Sequence, residues 1–168
     1  MLKNRNINSK KGFTIIEVVL VLAIAGLIFL MVFVALPALQ RSQKDTQRRQ
    51  DYAQLEAAIT AYMTNNNGKL PPASTGKLPA NQYLNSTGQD PDGVDYQINV
   101  VEAKDGMTVT KPAKAADGKK QIVYVYTSAN CGGSATGTGY AQPQHVNSSR
   151  SFAVYGYLES GTYCQASS

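Results

Sequence analysis

The sequence predicts an α+β protein: one long N-terminal helix, transmembrane in its first half and amphipathic in its second, packed on a small antiparallel sheet of three to four strands. Three observations carry this. Residues 18–36 form an unbroken apolar run. Beyond it, apolar side chains recur at helical spacing as far as Met63, and from Val94 onward they alternate with polar ones as strands require.

Residues 1–12 are a polar leader that carries Lys3, Arg5, Lys10 and Lys11 and no acid. Residues 13–36, about 24 residues at about 1.5 Å each, reach roughly 36 Å, enough to cross a hydrocarbon core of about 30 Å. By the positive-inside rule the leader stays in the cytoplasm and everything beyond Leu36 faces outward. A secretory signal is cut after its apolar region. Here the small residue that suits a cut, Gly12 followed by Phe13, precedes it, so cleavage leaves the apolar helix as the mature N-terminus. Glu17 lies in that helix's first turn, where a carboxylate costs up to roughly 3 kcal/mol and is usually functional. Snorkelling to the headgroups explains its depth but not its place beside a cleavage candidate.

Residues 37–67 continue the helix. Leu39, Tyr52, Leu55, Ile59, Tyr62 and Met63 form its apolar stripe, and Arg41, Lys44, Arg48, Arg49, Asp51 and Glu56 are expected on a solvated face. Asp45 stands one turn before Arg48 and Arg49. Pro37 is expected to kink the helix without ending it. Asn65-Asn66-Asn67-Gly68 and Pro71-Pro72 stop it. Residues 68–93 read as the loop from helix to sheet, with a helical turn near residues 81–84. Residues 94–168 hold the sheet and a disulfide-closed C-terminal region. Val94, Tyr96, Ile98 and Val100 alternate with polar residues, and residues 107–110, 122–126 and 152–158 supply the other strands. Residues 127–149, rich in Gly, Ser and Thr, read as an exposed loop pinned at Cys131.

Lys10-Lys11-Gly12, then Phe13-Thr14-Ile15-Ile16-Glu17, with Gly26 inside the apolar run, resembles the type IV pilin and pseudopilin family. The resemblance covers residues 10–63 well and the remainder in outline. It implies that a prepilin peptidase cuts after Gly12, that the new amine of Phe13 is methylated, and that Glu17 guides docking into a helical homo-oligomeric filament built by inner-membrane assembly machinery. It also implies a pilin-like head closed by a C-terminal disulfide. The family's usual helix proline falls at Val34; this chain has Pro37 instead. The implied product is a pilus subunit, a single-pass membrane precursor that becomes extracellular, serving adhesion, twitching motility or DNA uptake through a surface or DNA ligand. A type II secretion pseudopilin is the alternative, and Asp90-Pro91-Asp92-Gly93 resembles the Asp-Pro-x-Gly turn of major pseudopilins. A monomeric membrane-anchored binding module is a third reading, which has no use for Glu17.

Charge and chemistry narrow the rest. Once the leader is gone, twelve basic side chains face eleven acidic ones, a net +1, so no broad nucleic-acid-binding field remains. Cys131 and Cys164 both fall in the outward-facing part, where oxidising conditions favour a disulfide. The sequence has no H-E-x-x-H, C-x-x-C, phosphate loop or G-x-S-x-G, and no enzyme activity or cofactor is expected. His145, the only histidine, has no evident acid partner. Asp90, Asp92 and Asp95 surround a tight turn as calcium loops do, but a Pro-Gly turn leading into a strand explains them as simply. Tyr124, Tyr126, Tyr140, Tyr155, Tyr157 and Tyr163 suit either strand packing or a surface-binding patch. Asn85-Ser86-Thr87 and Asn147-Ser148-Ser149 match the glycosylation acceptor pattern.

Overall fold

The computed structural model describes residues 12–75, 89–134 and 141–167. The expected helical turn at residues 81–84, Tyr140, the acceptor pattern at Asn85 and the leader up to Lys11 lie outside them. The chain divides into two units, residues 1–40 and 41–168.

Helix α1 spans Ile15–Asn65 and its assignment runs through Pro37 without a break. Thr14 precedes its first residue, and the sequence Thr14-Ile15-Ile16-Glu17 forms a capping box. In the first unit every large apolar side chain from Phe13 to Leu36, and Leu39 beyond it, is exposed. By length and composition this segment can cross a membrane. At the other end, the Gly68 amide donates to the Met63 carbonyl at 2.8 Å while Asn67 adopts a φ of 56°. This is a Schellman-type stop, in which asparagine tolerates the left-handed conformation.

The second unit is built on a five-stranded sheet in the order β1-β2-β3-β6-β7. The strands are β1 (Ser74–Thr75), β2 (Tyr96–Glu102), β3 (Gln121–Thr127), β6 (Phe152–Leu158) and β7 (Gly161–Ala166). All neighbours are antiparallel except β2 and β3, which run parallel with Tyr96 opposite Gln121. A parallel pair needs a long crossover, and residues 103–120 supply one without a helix. Buried Gln121 ties that crossover down: its side chain accepts from the Ala115 amide at 2.9 Å and donates to the Ala113 carbonyl at 3.0 Å.

Strand alternation separates two cores. Val123 and Val125 of β3, with Phe152, Val154 and Leu158 of β6, pack on Tyr52, Leu55 and Ile59 of α1. Tyr126, Ala153 and Tyr155 belong to the second cluster, with Ala129, Cys131 and Cys164. Burying both faces explains why β6 is almost continuously apolar.

The α+β architecture with a long helix on a largely antiparallel sheet holds, with differences in detail. Residues 107–110 form no strand; Met107 and Val109 pack against the second core from an irregular segment. The expected exposed loop at residues 127–149 instead contains an antiparallel pair, β4 (Ala129–Ser134) and β5 (Ala141–His145), with Ala129 and Pro143 buried.

Candidate functional site

At the start of the chain, the Thr14 amide and hydroxyl both donate to Oε2 of Glu17, each at 3.0 Å, and the Glu17 amide donates back to the Thr14 hydroxyl at 3.4 Å. The carboxylate therefore satisfies donors that a helix start leaves open. Both bonds use Oε2, and Oε1 has no partner among the described residues. Phe13 is almost fully exposed beside it, at 88%.

In the head, a second constellation centres on Arg48, whose side chain is fully buried. Its Nε and Nη2 donate to the two oxygens of Asp90 at 2.7 and 3.0 Å. Nη2 also reaches Asp92 at 2.8 Å, and Nη1 reaches Glu159 at 3.3 Å. The guanidinium lies 5.1 Å from the centre of the Tyr157 ring. Asp45, one turn back on α1, accepts the backbone amides of Glu159 and Ser160 at 2.6 and 3.1 Å. Lys44 pairs with Asp92 at 2.6 Å, and Lys114 bridges Asp92 and Glu159 at 3.2 Å each. Three cations and four carboxylates thus join α1, the turn before β2 and the β6–β7 turn.

The electrostatics follow from this packing. Burial works to lower the Arg48 pKa, but its bonds to Asp90, Glu159 and Asp92 outweigh that and raise it. The Lys44 hydrogen bond, helped by Lys114, lowers Asp92 from its ordinary 3.8 to about 2. Burial pushes Glu159 upward, yet bonds from Lys114, Arg48 and Tyr157 hold it below the usual range. Such a bidentate, fully desolvated pair is strong as a unit and costly to break.

Beside this cluster the Tyr52 ring packs against the backbone of β6 at Gly156. Its hydroxyl donates to the Tyr157 carbonyl at 2.8 Å, and a Cβ on Gly156 would stand 2.3 Å from the ring's Cζ. Burial raises the Tyr52 pKa. Cys131 of β4 and Cys164 of β7 form a disulfide with Cα atoms 5.9 Å apart, tying the hairpin to the sheet.

Compared with protein families, residues 7–33 match the prokaryotic N-terminal methylation motif. The chain carries the signature of type IV pilins and pseudopilins. No curated protein and no solved structure gives a significant match. The match covers Gly12, Phe13, Glu17 and most of the apolar run, and leaves the head unmatched.

The structure brings Gly12, Phe13 and Glu17 together at one helix start, and Cys131 and Cys164 into a bond. In the acidic turn, Asp90 and Asp92 are engaged by cations of the chain itself: Asp90 pairs with Arg48, and Asp92 with Arg48, Lys44 and Lys114. Asp95 instead pairs through its backbone with Gln89. His145 does have an acid partner, since its Nδ1 lies 2.9 Å from Asp105. The expected solvated face was wrong at Arg48, which is buried, as is Asp45 one turn before it. A signal existed for them. Positions 45, 48, 52, 55 and 59 keep the 3-4 spacing of the apolar stripe, so both charges sit where core residues belong. Of the tyrosines, Tyr126 and Tyr155 are buried in the second core and Tyr124 packs against it, which favours strand packing over a surface patch.

Proposed function

We propose that this chain is a structural subunit of a type IV pilus. The observation that carries the reading is the junction at residues 12–17: a methylation motif whose cut precedes a membrane-length helix, with a carboxylate in the first turn. A prepilin peptidase cleaves after Gly12, the Phe13 amine is methylated, and the helix anchors the subunit until assembly. In the filament, Glu17 of one subunit pairs with the Phe13 amine of a neighbour. Apolar helices slide past one another at little cost, and one polar pair fixes their register. The capping geometry supports this role, because Oε1 can accept the neighbour's amine while Oε2 still caps its own helix.

The secretion pseudopilin remains the second reading, favoured by the Asp90-Pro91-Asp92-Gly93 turn directly before the β2 segment. The disulfide joining Cys131 to Cys164 favours the pilus, because it resembles the closed C-terminal region of pilins. Mass spectrometry of filaments sheared from the cell surface tests the choice. An abundant N-methylated chain beginning at Phe13 is expected. A chain processed at Phe13 but confined to the membrane fraction, with no surface filament, would transfer the reading to a pseudopilus.

A further inference from the structure

Asn67-Gly68 is the one Asn-Gly pair in the chain. Asn-Gly loses its side-chain amide more readily than other pairs, because a glycine without Cβ does not hinder its own nitrogen from closing on the asparagine Cγ. That closure needs three freedoms. The glycine N–H must be free to give up its proton, the asparagine backbone must turn to bring nitrogen and Cγ together, and the space at the glycine must be open. The end of α1 withholds all three. The Gly68 amide is committed to the Met63 carbonyl at 2.8 Å, and Asn67 is fixed at a φ of 56° as the residue that stops the helix. Neighbouring bonds hold that geometry. The Asn66 amide also donates to Met63 at 3.1 Å, its side chain donates to the Tyr62 carbonyl at 2.8 Å, and the Lys69 amide returns to the Asn66 carbonyl at 3.1 Å. The Arg150 guanidinium covers Gly68, with Nε 3.0 Å from where a Cβ would stand. Tyr62 and Met63 before the stop, and Leu70 after it, pack on the first core, so the turn is anchored on both sides. Asn67 itself is exposed to water.

We propose that Asn67-Gly68 is a latent modification site, silenced by the folded helix end and converted irreversibly when that end stays open. In the open chain the Gly68 nitrogen attacks Cγ of Asn67. The new N–C bond closes a succinimide, the Cγ–Nδ2 bond breaks, and the Gly68 proton departs with the amide as ammonia. Water then opens the ring. Attack at one carbonyl leaves aspartate; attack at the other leaves isoaspartate, whose main chain runs through the former side chain. Isoaspartate adds a main-chain carbon where the stop needs a compact left-handed residue, so the Gly68 amide no longer reaches Met63. A converted head cannot remake the helix end that would have protected it. The site thus records time spent unfolded, whichever filament the chain builds.

Peptide-mapping mass spectrometry tests this on the full chain in detergent, incubated at mildly alkaline pH with and without guanidinium chloride. Asn67 should convert roughly tenfold or more slowly in the native chain than in the unfolded one, because only the open fraction reacts. Asn66→Ala, which removes the side-chain bond to the Tyr62 carbonyl, should raise the native rate roughly threefold or more and leave the unfolded rate unchanged. Asn67→Gln, whose longer side chain closes its ring far more slowly, should stay unmarked in denaturant. Diluted from denaturant, isoaspartate-bearing molecules should be depleted from the refolded fraction. Equal rates in native and unfolded chain, earlier conversion of another asparagine in the unfolded chain, a native rate indifferent to Asn66→Ala, or converted molecules that refold as completely as unconverted ones would each overturn the proposal. The comparison of native with unfolded wild type needs no variant, so an Asn66→Ala chain that failed to fold would leave the proposal open to refutation.

Discussion

Replacing Arg48 with methionine keeps most of the side chain's length and removes its charge. Asp90, whose side chain is 1% exposed, then loses the partner of both its oxygens. Asp92 and Glu159 lose a shared donor, and only Lys44 and Lys114 remain to offset four carboxylates. Removing one partner from a buried ion pair costs roughly 3 to 5 kcal/mol. A domain of this size has about 5 to 15 kcal/mol in all. The head should therefore melt about 10 to 20 °C lower. Because the chain has ten tyrosines and no tryptophan, near-ultraviolet circular dichroism of the detergent-solubilised protein reads the transition. Arg48→Lys should recover less than half of the loss, since a point charge cannot bond Asp90 twice and also reach Glu159. The pH dependence separates charge from packing. In the native head, Asp92 at about 2 and the lowered Glu159 contribute stability that is present above their ordinary values and lost as pH falls toward 2. In Arg48→Met the unpaired carboxylates have raised pKa values, so acidification from roughly pH 7 to pH 5 relieves them and the deficit should shrink. A loss below about 1 kcal/mol, as for an exposed pair, or a deficit unchanged by acid would show that the cluster does not act as a buried ion pair.

Three further substitutions probe separate features. Gly156→Ala should cost at least about 3 kcal/mol, because the added methyl displaces the Tyr52 ring and breaks its bond to the Tyr157 carbonyl; Tyr52→Ala in the same chain should make the two losses clearly less than additive in chemical denaturation. Replacing Cys131 and Cys164 with serine opens a loop closed across a sequence separation of 33, worth roughly 3 to 4 kcal/mol, and hydrogen exchange should rise first in β4, β5 and β7; free thiols in unreduced native protein would remove the basis for this. Glu17→Ala should insert and be cleaved yet fail to enter filaments, and Glu17→Gln, which keeps the cap without the charge, should recover only part; full assembly of the glutamine variant would assign Glu17 to capping alone.

The helix and three strands were legible because their periods are written in apolar side chains. Val123, Val125, Val154 and Leu158 alternate, and the stripe from Tyr52 to Ile59 turns with the helix. Strands β4 and β7 were not legible. Asn130-Cys131-Gly132-Gly133 and Gly161-Thr162 carry no alternating pattern, and pairing with β5 and β6 makes them extended. Nor does sequence reveal that β2 and β3 run parallel, since the crossover lacks the helix that would announce one. Arg48 was misplaced because arginine at a helix surface is ordinary; its partners Asp90 and Glu159 are 42 and 111 residues away. The N-terminal junction was the most readable part, because its pieces are contiguous. Its capping box was written there as well, in Thr14 and Glu17.

The spacing of these contacts also sets an order of events in time. The ribosome makes α1 before the strands, with Arg48 and the Tyr52 ring along one face. Asp90 can meet Arg48 after 42 residues, but Gly156, the Tyr157 carbonyl and Glu159, which receive the ring and complete the cluster, are made more than 100 residues after the groups they meet. Until β6 is made, the helix therefore presents that ring to water and holds an arginine cluster that still lacks Glu159. The nascent head has no partial arrangement that seats the Tyr52 ring on β6, because its closing contacts are long-range. A chain ending before β6 would thus lack a core rather than a strand. Proteolytic quality control would see it as unfolded, even though its helix had been correctly delivered.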